Sequence, residues 1–102
     1  MRAGRRALLA SLFDVLEGQT PYGGRSVTYE LVGSAWLKVG AVKRRERTEA
    51  GVSGSIETLT AEARADARLQ AGRMLQFGGA DWRIVSGETV GGLTILNLER
   101  SR

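Results

Sequence analysis

Side chains able to do covalent or acid–base chemistry are scarce in this 102-residue chain, which contains no histidine and no cysteine. Imidazole is the usual proton-transfer group near neutral pH, and thiolate and imidazole are the usual nucleophile and zinc or copper ligands. What remains is serine–lysine or paired-carboxylate chemistry. The only lysines are Lys38 and Lys43, and the carboxylates do not cluster in a pattern that suggests an acid and a base. A serine–lysine hydrolase would require one of those lysines to be buried beside a serine. The sequence therefore predicts a protein that is not an enzyme and takes no metal and no cofactor.

Charge points toward contacts instead. The 15 basic and 11 acidic side chains leave a net charge of +4, and thirteen of the basic residues are arginine. Guanidinium groups suit bidentate pairing with carboxylate or phosphate. The densest cluster is Lys43, Arg44, Arg45, Glu46 and Arg47, followed by Glu49. It could neutralise a nucleic-acid backbone or face acidic patches on a protein. Glu46 and Glu49 dilute its field and few aromatics stand nearby to stack on bases, so protein contact or a solvated loop is the favoured reading.

The elements that must position these residues are short and glycine-separated. Fourteen glycines and one proline, Pro21, punctuate the chain. The clearest strand is Arg25-Ser-Val-Thr-Tyr-Glu-Leu-Val, where Val27, Tyr29 and Leu31 alternate with polar residues, continued after Gly33 by Ala35-Trp-Leu-Lys-Val. Near the C-terminus, Asp81-Trp-Arg-Ile-Val and Leu93-Thr-Ile-Leu-Asn-Leu-Glu read as a hairpin around Gly87, Gly91 and Gly92. Arg73-Met-Leu-Gln-Phe followed by Gly78-Gly79 adds a third strand, giving a meander. The paired glycines read as turns, because none stands in the strand, spaced-glycine, lysine and helix order of a phosphate loop.

Residues 7–16 and 59–71 fit either a helix or a strand. The apolar run at the N-terminus is broken at Asp14 and is far shorter than the ~20 residues of a membrane span, so neither a span nor a signal peptide is expected. Residues 40–54, charged and bracketed by glycines, read as an exposed loop, with space for a helical turn around 44–50. Trp36 and Trp82 each lie in an apolar strand and read first as core, second as anchors of a subunit interface. The expected fold is mainly β: a single domain over residues 1–102, a small antiparallel β-barrel of about six strands with a long charged loop and room for one short helix.

In its order of features the chain resembles the phage head–tail joining family, the head-closure or stopper proteins of long-tailed phages and gene transfer agents. The matching residues are an N-terminal basic and apolar strand, Tyr22-Gly-Gly, the alternation Val27-Thr-Tyr-Glu, and Ala35-Trp36 ahead of a charged loop containing Arg47-Thr-Glu-Ala-Gly. A late Gly79-Ala-Asp-Trp-Arg-Ile-Val and a final hairpin strand follow. The alanine- and leucine-rich first strand and the alanine-rich stretch 61–71 depart from the family pattern. The resemblance implies a structural subunit of a homo-oligomeric ring, a hexamer in that family, that is made in the bacterial cytoplasm and sits in the particle neck. It also implies portal or adaptor proteins on the head side, tail terminator or tail tube proteins on the other, and packaged DNA close by, with no membrane contact. The loop at Lys43, Arg44, Arg45, Glu46, Arg47 and Glu49 would then reach a neighbour or the channel. The alternative reading of a different class is a small basic β-barrel that binds nucleic acid.

Overall fold

A computed structural model describes residues 6–49 and 52–101. Every regular element in it is a strand: β1 (Arg6–Gln19), β2 (Arg25–Val39), β3 (Lys43–Glu49), β4 (Val52–Arg64), β5 (Met74–Phe77), β6 (Ala80–Val90) and β7 (Leu93–Ser101). They form one antiparallel sheet in the order β2-β1-β5-β6-β7-β4-β3. Pairing of Leu37, Lys38 and Val39 on β2 with Ala63, Glu62 and Ala61 on β4 closes six of them into a barrel-like ring. Strand β3 stays outside the ring, paired with β4 alone.

The interior is filled by period-two residues from all sides. Leu12, Leu37, Leu75, Ile84, Leu96 and Leu98 are fully buried, and Ala10 and Ala61 join them with no exposed surface. Small residues are needed there because six strands enclose too narrow a space for a large side chain at every inward position. That is why the alanine-rich 59–71 stretch begins as a strand: Leu59, Ala61 and Ala63 point inward from β4. After Arg64 the chain turns, and residues 65–73 form a connection held by local hydrogen bonds. No helix occurs among the described residues, so residues 7–16 are strand and the short helix allowed for is not present there.

Hairpins join the C-terminal strands as the sequence implies. Gly78 and Gly79 (φ 59° and 74°) and Gly91 and Gly92 (φ 58° and 81°) make two-residue turns whose double positive φ matches the twist of the flanking strands. Gly87 is not part of a turn. It lies within β6 opposite Leu96, where an added Cβ would sit 3.0 Å from Leu96 Cδ2.

Two corrections concern faces and loops. The register between β1 and β2 shifts so that Leu12 opposes Gly33 while Phe13 opposes Leu31, leaving Val32 as an extra residue. Such a bulge reverses which alternate residues face inward. Ala35, Leu37 and Val39 therefore serve the core, whereas Val27, Tyr29 and Leu31 are exposed on the outer face. Residues 40–54, expected to be an open loop with a helical turn, instead carry β3 and the start of β4, whose ladder runs from Lys43–Thr58 to Glu49–Val52. Lys43, Arg44, Arg45 and Glu46 tolerate this because an edge hairpin leaves their side chains exposed.

Candidate functional site

Lys38 and Lys43 are both exposed, so neither meets the condition of a lysine buried beside a serine. Among the described residues no group of three or more carboxylates could hold a metal ion. The candidate surface is built on the two hairpins that leave the ring.

The first is the β3–β4 arm. Strand alternation splits its basic cluster. Lys43 and Arg45 lie opposite Thr58 and Ile56, on the outer face. Arg44 lies opposite Glu57, on the face that leads into the core. Glu57 is buried at 6% exposure, and such a carboxylate must be paired. Arg44 Nη2 donates to its Oε2 at 3.3 Å and Arg100 Nε donates to its Oε1 at 2.7 Å. The Arg100 guanidinium also lies 5.2 Å over the ring of Trp82, which stacks on Phe77 at a centroid distance of 6.0 Å. Arm, barrel and C-terminal strand are thus tied through one buried carboxylate. The side chains of Arg47 and Glu49 lie outside the described set; Lys43, Arg44, Arg45 and Glu46 are all exposed.

The second is the β1–β2 hairpin. Beyond Phe13 on one strand and Leu31 on the other it pairs with nothing else, and becomes a two-stranded ribbon ending in the turn at residues 20–24. Its outer face carries the cross-strand pairs Leu9–Trp36, Phe13–Leu31 and Val15–Tyr29. Trp36 is 65% exposed, which overturns the reading of it as core, whereas Trp82 at 4% belongs to the core as expected. A groove beside Trp36 is lined by Ala7, Lys38, Glu62, Arg64 and Leu93. Of the large hydrophobic residues exposed in the described part of the chain, Leu9, Val27, Tyr29, Leu31 and Trp36 all lie on this hairpin and Leu93 adjoins it. Scattered exposed apolar residues are ordinary; a contiguous run of them marks an interaction surface.

The 65–73 connection braces the root of the ribbon. Arg68 Nη2 reaches Asp66 Oδ2 at 2.6 Å and the Ser34 carbonyl at 3.1 Å, and Arg73 Nη1 donates to the Arg68 carbonyl at 2.6 Å. Hydrogen bonds from the Arg68 guanidinium and then its backbone N–H hold the Asp66 carboxyl below its ordinary value of 3.8, and the same ion pair raises Arg68.

Neither Glu57 nor Arg68 stands out as a site in the sequence read by composition. Glu57 could have been found by its place in the inward series Glu57, Leu59, Ala61, Ala63, where a charge at a core position demands a partner. Arg68 carries no such signal, because it lies in an irregular turn.

No family model matches the chain, and no curated protein is similar to it in sequence. In three dimensions it is similar to a chain from the virion of a native gene transfer agent (GTA) particle, with a TM-score of 0.74 at 18% sequence identity. The likeness covers 99% of this chain and 98% of that one, so the two share one fold from end to end.

Proposed function

We propose that the chain is a structural subunit of a phage-like or gene-transfer-agent particle, a connector whose copies form a ring in the neck. In that role it bridges the portal or adaptor proteins and the tail terminator or tube, and helps retain packaged DNA. The observation that carries this reading is the end-to-end likeness of fold to a gene-transfer-agent virion chain. Two features of this chain fit it: an apolar outer hairpin face suited to burial in an assembly, and a buried ion-pair cluster that fixes the β3–β4 arm in one orientation. The arm presents Lys43, Arg44, Arg45 and Glu46 to a neighbouring protein or to the channel. Localisation in the particle neck follows from the same reading.

Deleting the gene in cells that make the particles tests it. The expected product is heads that lose their DNA and tails that remain separate, with this chain present in wild-type particles and absent from the mutant. Intact, tail-bearing particles from the deletion strain would refute the connector role. Steeply salt-dependent DNA binding by the isolated chain, in the absence of any particle phenotype, would favour the nucleic-acid-binding alternative.

A further inference from the structure

Strand alternation gathers another set of exposed residues on the outside of the ring. Leu9 lies opposite Trp36, and Leu93 lies between Arg64 on one side and Val90 on the other. Trp36 and Arg64 follow directly on the paired Leu37 and Ala63 and line one groove. Leu37, Ala63 and Thr94 are buried, so their neighbours Trp36, Arg64 and Leu93 face outward. The result is a belt, Leu9–Trp36–Arg64–Leu93–Val90, whose apolar members are each exposed by half or more. It crosses β1, β2, β4, β7 and β6 in turn, a path of about 19 Å at the ordinary strand spacing. The belt is one residue wide, because the next outward row holds Lys38, Glu62 and Glu88, and Ser11 and Ser34 border it on the other side. Its middle member is a cation. The exposed Arg64 guanidinium has no ion pair among the described residues, although Trp36 stands on one side of it and Leu93 on the other.

We infer that this belt is the docking site for an extended segment of a different protein, one that brings a carboxylate flanked by apolar side chains to Arg64. Charge complementarity sets the partner's chemistry. A guanidinium pairs with a carboxylate through two parallel hydrogen bonds, and an apolar collar that excludes water makes such a pair count for more than it would at an open surface. Tryptophan and arginine side by side are also the residues on which binding energy concentrates. Width and volume set the partner's shape. A belt one residue wide matches a single extended chain, of which roughly six residues span its length. The groove at Trp36 and Arg64 encloses about 230 Å³, below the ~300–1,000 Å³ of sites for free small molecules, so it suits an anchoring side chain. A second copy of this chain offers no such match. Of the carboxylates on its outer face with described side chains, Glu99 is held by Arg83, Asp81 by Gln76, and Glu62 has a partner of its own. Glu17 has Arg25 diagonal to it on the same face of the ribbon. Glu88 is left, but its apolar neighbours Val90 and Ile95 adjoin or belong to the belt itself, so a copy could offer it only by covering belt with belt. The docking site rests on this face alone and does not need the connector reading.

Selection from a yeast-displayed library of random heptapeptides tests the site, with the purified chain as bait and its Trp36→Ala/Arg64→Glu variant as the counter-selection. The enriched peptides should carry Asp or Glu with an apolar residue within two positions on each side. Titration calorimetry of such a peptide should show binding weakened about tenfold or more by Arg64→Gln, by Trp36→Ala, and by amidation of the peptide's own carboxylate. Arg83→Gln, outside the belt, should leave the affinity unchanged, and far-UV spectra should match throughout. The Arg64→Glu chain should reject the acidic peptide and bind the same peptide with lysine in place of its carboxylate. Enriched peptides without a carboxylate, a charge exchange that restores nothing, or no enrichment over the counter-selection would each overturn the proposal. So would sedimentation of the wild-type chain as a dimer that both Arg64→Glu and Glu88→Lys dissociate, because the belt would then be covered by a second belt. All of these are read on the purified chain, so their failure leaves the connector reading to the gene deletion, and failure of the connector reading leaves the peptide result standing.

Discussion

Replacing Glu57 by alanine should destabilise the fold by about 2–4 kcal/mol. The Glu57 side chain is 8% exposed and accepts from two arginines whose side chains differ in burial: that of Arg44 is 59% exposed and that of Arg100 is 23% exposed. Loss of Glu57 lets Arg44 return to water, so that pair contributes at most ~1 kcal/mol. Arg100 is held over Trp82 and cannot rehydrate fully, so its loss of partner resembles breaking a buried ion pair, which costs about 3–5 kcal/mol when both groups are enclosed. Discounting for the residual exposure of Arg100 gives the lower total. For a domain of this size about 4–8 °C of melting temperature accompanies each kcal/mol, so Tm should fall by roughly 8–32 °C. Thermal unfolding followed by circular dichroism reads this directly. Arg44→Ala should cost under ~1 kcal/mol, and the Glu57/Arg100 double-mutant cycle should show coupling of about 1–3 kcal/mol. A Glu57→Ala protein that melts within about 2 °C of wild type, or an Arg44→Ala as damaging as Arg100→Ala, would refute the argument from burial.

Three other expectations follow from the same structure. Trp82→Ala should cost about 3–5 kcal/mol by emptying a packed site, whereas Trp36→Ala should change monomer stability by less than about 0.5 kcal/mol; denaturant titration of both variants checks the contrast. Gly92→Val, at φ 81° in the β6–β7 turn, should cost about 1–2 kcal/mol, read from the shift in the urea midpoint at constant m-value. The Asp66 carboxyl is held below 3.8 by Arg68. Its contribution is therefore complete above that value and is lost as pH falls through the lower folded-state value. Wild type should lose more stability than Asp66→Asn between neutral and strongly acid pH, and parallel pH profiles of the two would contradict this.

Much of the architecture is legible in the residues, and the failures have physical causes. The paired glycines after Phe77 and Val90 specify two-residue turns because few other residues adopt positive φ twice in succession, so the C-terminal meander could be read directly. Lys43–Glu49 could not, because β3 has no apolar alternation; its strand is imposed by pairing with β4. The stretch beginning at Leu59 is helix-like by propensity, yet small alanines are what a narrow ring requires inside. Trp36 reads as core or interface anchor alike because an exposed tryptophan follows the same apolar pattern as a buried one, and only the bulge at Val32 decides which face is which. The charged arm residues were legible as an exposed cluster, but the division of Lys43 and Arg45 from Arg44 needs the register.

Electron cryomicroscopy of the purified particle, with the chain located by its fold, tests the central claim most directly. The connector account predicts a ring of copies at the junction of head and tail. Density for this fold in the capsid shell or the tail tube, or in no part of the particle, would contradict it.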